Sequence, residues 1–167
     1  GSSVADRVRP ETARVGIYKA GVEFALDAAA RRTSTSTIGP PAQFLTGLSD
    51  DIGVAPGKAG RTVTAAVAAR IRAELLQAGA QRRQGDDGGA MMTLDGIIGV
   101  VSCFPPASHS AELEMVADGL APRLSREERA ALLEMFMSIG GGDAAGAVAE
   151  ALGFPPPTSA PPSAPSP

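Results

Sequence analysis

The chain has one cysteine and one histidine, Cys103 and His109, six residues apart around Pro105-Pro106. A thiolate beside an imidazole is the arrangement that cysteine nucleophiles use. Cysteine is also among the most buried residue types, and Cys103 belongs to the most apolar segment of the chain. Since no orienting group or oxyanion donor accompanies the pair, we expect a structural cysteine and a surface histidine.

Other motifs that could bind a cofactor or metal are incomplete. Gly140-Gly141-Gly142-Asp143 matches a loose dinucleotide fingerprint, but no strand is predicted before it and the proline-rich end of the chain lies where the ribose-binding acid should be. The pairs Asp50-Asp51 and Asp86-Asp87 lack the alternating ligand spacing of a calcium loop and are expected to form turns. We therefore predict no catalytic, cofactor-binding or metal-ligating residues, and no enzyme activity.

The elements that would position functional residues are predicted to be helices. Val22, Ala25, Leu26 and Ala29 follow the spacing of an amphipathic helix over residues 20–32. Residues 14–19 alternate polar and apolar side chains, which suits either a short strand or the first turns of a longer helix. A second long helix is predicted over residues 61–84. Its apolar face contains Val63, Val67, Ile71, Leu75 and Ala78.

Shorter helices are predicted along the rest of the chain. One covers residues 42–48, and another runs from a Thr93 cap to Phe104 through a segment that is apolar on all sides. A third starts at Ser108 or Ser110 and ends at Pro122. Ser125 and Glu128 form a capping box for a fourth helix, which Gly140 ends. Asp143 is expected to cap the last helix, through Leu152.

The sequence of 167 residues (16.8 kDa) predicts one all-α domain, a compact bundle of six or seven helices with Gly/Pro-rich loops. Aromatic residues make up only 4% of it, so aliphatic side chains must form the core, and the five methionines are expected to fill gaps in it rather than line an adaptable groove. Residues 1–10 are expected to be a tag remnant and flexible start, 11–154 the domain with a hinge or subdomain boundary at 85–90, and 155–167 a disordered Pro/Ser/Ala tail. The absence of a long apolar run or signal peptide predicts a soluble, cytoplasmic protein.

The two halves of the chain carry opposite charge. Residues 1–85 hold twelve Lys or Arg against seven Asp or Glu, a net charge of +5, whereas residues 86–167 hold three against eleven, a net charge of −8. Such asymmetry indicates either a nucleic-acid-binding face or two halves that attract each other within one fold. We favour the second interpretation, because no run of five like charges occurs.

Two segments resemble known families. The stretch Arg14-Val15-Gly16-Ile17-Tyr18, with Ala25 to Ser36 after it, resembles the start of ribbon-helix-helix DNA-binding proteins, whose strand enters the major groove. This resemblance implies that Arg14, Gly16 and Tyr18 would face the DNA and that Val15 and Ile17 would pack inward. For DNA binding through the basic first half of the chain, the candidate contacts are Arg14, Tyr18, Lys19, Arg31 and Arg32. Separately, Leu124-Ser125-Arg126-Glu127-Glu128 together with Ala149 to Phe154 resembles the end of helical tellurite-resistance-type domains.

We expect a non-catalytic, bacterial-type adaptor or regulatory protein that works through protein–protein contacts on a helical surface. Its partner would be another protein or a second copy of itself, with no cofactor and no membrane. The alternative is a DNA-binding regulator that uses the basic first half.

Overall fold

A computed structural model of the chain describes residues 10–31 and 39–157. All regular structure within these residues is helical, which confirms the predicted all-α bundle. The described residues form seven α-helices and one 3₁₀ turn, in this order: α1 (Glu11–Arg31), α2 (Pro41–Ile52), α3 (Pro56–Arg83), α4 (Asp87–Cys103), α5 (Ala111–Leu120), α6 (Arg126–Ser138), the 3₁₀ turn (Gly142–Ala144) and α7 (Ala145–Ala151).

One hydrophobic core joins these helices. It extends from Tyr18 on α1 to Leu152 after α7, and its largest fully buried side chain is Phe136 on α6. The core includes residues from both sides of the predicted boundary at 85–90. There α3 turns tightly into α4, and the Thr93 hydroxyl donates to the Gln81 side chain across the two helices at 2.8 Å.

The uncertain segment 14–19 belongs to α1 and is helical. The reason is visible in the burial pattern: Tyr18 lies one turn before Val22, and both side chains are buried on the face that continues through Ala25 and Leu26. Extending the apolar stripe of the helix backwards buries more surface than a six-residue strand without a partner would.

Two predicted caps are wrong. α4 begins at Asp87, because the Asp86 side chain accepts from the Gly89 amide at 2.8 Å and starts the helix where a turn and hinge were predicted. Thr93 therefore lies inside α4. Asp143 lies in the 3₁₀ turn and caps no helix, and α7 starts without a side-chain cap.

Other local predictions are confirmed. Both halves of the Ser125/Glu128 capping box are formed at the start of α6, and Ser110 caps α5. Gly140 takes a left-handed φ of +95° after α6, a conformation that glycine adopts without a steric penalty. On α3, the predicted apolar face is buried from Val67 to Ala78.

The prediction that methionines fill the core is wrong for four of the five. Met91, Met92, Met115 and Met137 are 41%, 79%, 72% and 48% exposed, whereas Met135 packs against the core. Alanine and branched side chains fill the tight helix crossings instead. The surface therefore carries flexible apolar side chains.

Several predictions concern residues outside the described part of the chain. These are the tag remnant at the start of the chain and, in the predicted tail, residues 158–167. Across residues 10–31 and 39–157, no helix is both long enough and apolar enough to span a bilayer.

Candidate functional site

Cys103 and His109 lie in different surroundings, at the end of α4 and in the loop that follows it. Cys103 is the half-buried last residue of α4, and no hydrogen bond joins it to His109 in the described structure. The His109 side chain is 80% exposed, and its backbone N–H donates to a Glu150 carboxylate oxygen at 2.9 Å. His109 has a φ of +56°, uncommon for a residue with a side chain, and this conformation turns its amide toward Glu150. The contact ties the α4–α5 loop to α7.

The acidic pairs have structural roles. Asp50 and Asp51 lie in the last turn of α2 rather than in a loop, and Asp86 caps α4. Among the described residues, no three His, Cys, Asp or Glu side chains are grouped so that they could hold a metal ion. The glycines at 140–142 follow a helix and not the strand that the dinucleotide fingerprint requires.

Four of the five candidate DNA-contact residues, Arg14, Tyr18, Lys19 and Arg31, lie on α1. Tyr18 is 3% exposed and packs in the core, and this burial raises the pKa of its hydroxyl. It therefore does not take the outward position that the ribbon-helix-helix resemblance implies. Lys19 and Arg31 are exposed on α1, Arg14 is half-buried, and Arg32 lies outside the described residues.

The basic residues of α3 are largely paired within the molecule. Arg70 donates to Asp27 on α1 at 2.6 Å and to Glu74 at 3.0 Å. Arg83 donates to both carboxylate oxygens of Glu128 on α6, at 2.6 and 2.9 Å. These contacts reduce the positive charge that α3 offers to a ligand.

A cavity of about 410 Å³ lies between α1, α2 and α3 beside Tyr18. Three of its hydroxyl groups already donate to helix carbonyls: Thr46 to Ala42, Ser49 to Thr46 and Thr64 to Gly60. Few donors in this cavity remain for a ligand.

The surface around Phe154 offers two grooves. The first, which we call the apolar groove, has a volume of about 330 Å³ and lies between α6 and the Phe154 ring. Its walls are Ala130, Leu133, Glu134, Met137 and Phe154. The second, which we call the acidic groove, has a volume of about 380 Å³ and lies between α5, the end of α7 and the same phenylalanine. It is lined by residues that include His109, Ser110, Glu114, Ala117, Glu150 and Phe154.

Arg129 fixes the position of Phe154. Its guanidinium lies 5.6 Å from the ring centroid, and its nitrogens donate to the carbonyls of Leu152 at 2.8 Å and Leu124 at 3.3 Å. Arg126 lies over the same ring at 5.5 Å. Gly153 takes a left-handed φ of +83°, which turns the chain out of α7 and presents the ring to α6. The wall between the two grooves is therefore held in place.

Sequence reasoning missed Phe154 and Glu150 as surface-forming residues. The sequence contains one indication of this role. Phe154 is an aromatic residue directly before a proline-rich segment, a position that marks the end of the core. Its two arginine neighbours lie more than twenty residues earlier in the chain, and only the packing of α6 against α7 brings them together.

No protein-family model, no curated protein and no solved structure matches this chain.

Proposed function

We propose that this protein is a non-catalytic adaptor or regulator that binds another protein through the apolar groove. One observation carries the proposal: apolar side chains that a core would normally bury line a groove that is open to solvent. Met137 is 48% exposed, and Leu133 and Phe154 are only half-buried. When a partner covers exposed apolar surface of this kind, the burial favours binding.

The apolar groove suits a protein partner because α6 and Phe154 are held in place while Met137 can change its conformation. α6 is held by its capping box, and Phe154 is held by Arg129. Met137 has an unbranched, polarizable side chain that can adjust to the shape of a bound segment. We place this role in the cytoplasm, since the single cysteine offers no internal disulfide.

A photo-crosslinking experiment tests the proposal. Met137 is replaced by p-benzoylphenylalanine in cells that express the protein, and adducts are identified by mass spectrometry. We expect a discrete protein adduct that is lost when Leu133→Asp places a charge in the groove. The matched control places the same crosslinker at Met92, which is 79% exposed and lines neither groove. Equal labelling from the two positions would contradict the proposal.

DNA binding is the second candidate. In its favour, Lys19 and Arg31 are exposed on α1, and neither makes an ion pair with another described residue. Against it, Tyr18 is buried, and α1 is a helix rather than the strand that would enter the DNA major groove.

A further inference from the structure

The grooves on both sides of Phe154 are lined by carboxylates. Glu134 lies on the wall of the apolar groove, and Glu114 and Glu150 line the acidic groove. Among the described residues, no Lys or Arg lines either groove. The two grooves meet at one side chain, so a single bound segment can contact apolar and acidic groups together.

The three carboxylates differ in how accessible they are to a ligand. Glu150 is only 13% exposed on its side chain and accepts the His109 amide, so it is held in place. Glu114 and Glu134 are exposed, and neither carboxylate makes a hydrogen bond or ion pair with another described residue. An unpaired carboxylate beside an apolar wall favours a ligand that carries both a cation and an apolar side chain.

The nearby arginines do not neutralise these carboxylates. Arg129 uses its nitrogens on the carbonyls of Leu124 and Leu152. Arg126 lies against the ring of Phe154 and outside both grooves. The half of the chain that forms both grooves carries a net charge of −8, which attracts positively charged partners before contact.

We propose that the surface formed by the two grooves binds a basic amphipathic helix of a partner protein. The apolar face of that helix would lie against Leu133, Met137 and Phe154, and its Lys or Arg side chains would face Glu134 and Glu114. This is the helix-in-groove mode of peptide recognition, with acidic groups at the edge that select for charge. The inference rests on the proposed function and adds the chemistry of the partner.

Two matched peptides test the inference with the full chain. Each has about 18 residues, or about five helical turns, with leucines on one face; one carries lysines on the flanks and the other glutamates. Fluorescence anisotropy is expected to show that the lysine peptide binds about tenfold more tightly, and that added salt weakens its binding. Equal affinity for the two peptides, or no binding of the lysine peptide, would overturn the inference.

Variants of the protein test which carboxylates cause the preference for the lysine peptide. The double variant Glu114→Gln and Glu134→Gln is expected to reduce the preference for lysine to about threefold. The matched control, Glu23→Gln with Asp51→Asn, also removes two exposed carboxylates but on α1 and α2, and it should keep the full preference. Circular dichroism checks that both variants fold. If Glu114→Gln with Glu134→Gln leaves the preference for the lysine peptide unchanged, that result contradicts the assignment of the preference to these two carboxylates.

The outcome separates this inference from the proposed function. A crosslink from position 137 without any charge preference would refute the basic partner and leave a protein-binding groove. A dimer by sedimentation that Met137→Asp dissociates, together with no binding of the lysine peptide, would show that a second copy covers the groove. Equal crosslinking from positions 137 and 92 would count against the proposed function itself.

Discussion

The Glu128 carboxylate accepts three hydrogen bonds, two of which link α6 to α3. Its carboxylate accepts from the Arg83 guanidinium on α3 and from the Ser125 amide at 2.7 Å, where it completes the capping box of α6. The hydrogen bonds from Arg83 are the main cause that lowers its pKa from 4.5 to about 2, and the Ser125 amide adds to the effect. All of these bonds favour the charged form.

This pKa predicts a pH dependence of stability. A carboxyl whose pKa is lowered by folding stabilises the native state above its ordinary pKa, and this contribution is lost as the pH falls toward the folded value. The free energy of unfolding should therefore decrease between pH 4.5 and about pH 2, partly through Glu128. In Glu128→Gln, which keeps a capping side chain, urea denaturation should show a shallower decrease.

The control is Glu127→Gln, which removes an exposed carboxylate from the neighbouring position of α6. This variant should keep the steeper pH dependence of the unaltered chain. A Glu128→Gln profile that follows the unaltered protein over the whole acid range would mean that the ion pair with Arg83 contributes nothing to stability.

At the scale of helices, α1 and α4 approach each other closely at Gly99. A Cβ atom added to Gly99 would lie 2.0 Å from the carbonyl oxygen of Ala29. Backbone atoms cannot move aside as a flexible side chain can, so the two helices would have to separate. Glycine at this position therefore sets the distance between α1 and α4.

Gly99→Ala should destabilise the protein by about 1–3 kcal/mol, the usual cost of overpacking. The matched control is Gly16→Ala, because Gly16 also lies in a helix but has open space around its added Cβ atom. Since alanine is the better helix former, this control should gain up to about 1 kcal/mol. Chemical denaturation of both variants measures the difference, and equal stability would show that the crossing tolerates a wider separation.

The sequence predicted the helices best where the signal is local. The Ser125/Glu128 capping box involves residues three apart, and the buried face of α3 repeats every turn, so both were recognisable without the fold. The start of α4 was missed because Gly88 and Gly89 resemble a loop, whereas the Asp86 cap and the packing of α4 make them helical. Propensity is a weak guide at such positions.

The candidate site was harder to predict than the helices. Each groove needs Phe154 beside a different helix, and that arrangement depends on how α6 and α7 pack. Met137 was expected in the core because methionine is apolar, but it lies on the outward side of α6, while Phe136 takes the buried position. Neighbouring residues on a helix point in different directions, so one can be buried while the next is exposed. Residue type alone does not distinguish these two positions.

At the scale of the whole molecule, the oppositely charged halves are joined by ion pairs. Arg83 pairs with Glu128, and Arg82 Nε lies 3.8 Å from Asp87 Oδ1, so both contacts cross between the halves. Arg70 instead pairs within the basic half, with Asp27 and Glu74. Exposed pairs of this kind each contribute only about 0–1 kcal/mol, so their main effect is to reduce the free positive charge.

This distribution predicts that the protein does not bind duplex DNA measurably near physiological salt. Of the candidate DNA contacts, Tyr18 is buried, which leaves Arg14, Lys19, Arg31 and Arg32. On α3, Arg70 and Arg83 are paired, whereas Arg61 and Arg72 are exposed. Each phosphate contact releases counterions, so true binding must weaken steeply between about 50 mM and about 150 mM salt. Fluorescence anisotropy with a labelled duplex at both salt concentrations measures this slope. Micromolar, salt-sensitive binding that disappears when Arg14, Arg31 and Arg32 are replaced by Ala would reverse the ranking of the two functions. It would show that these arginines form a nucleic-acid surface.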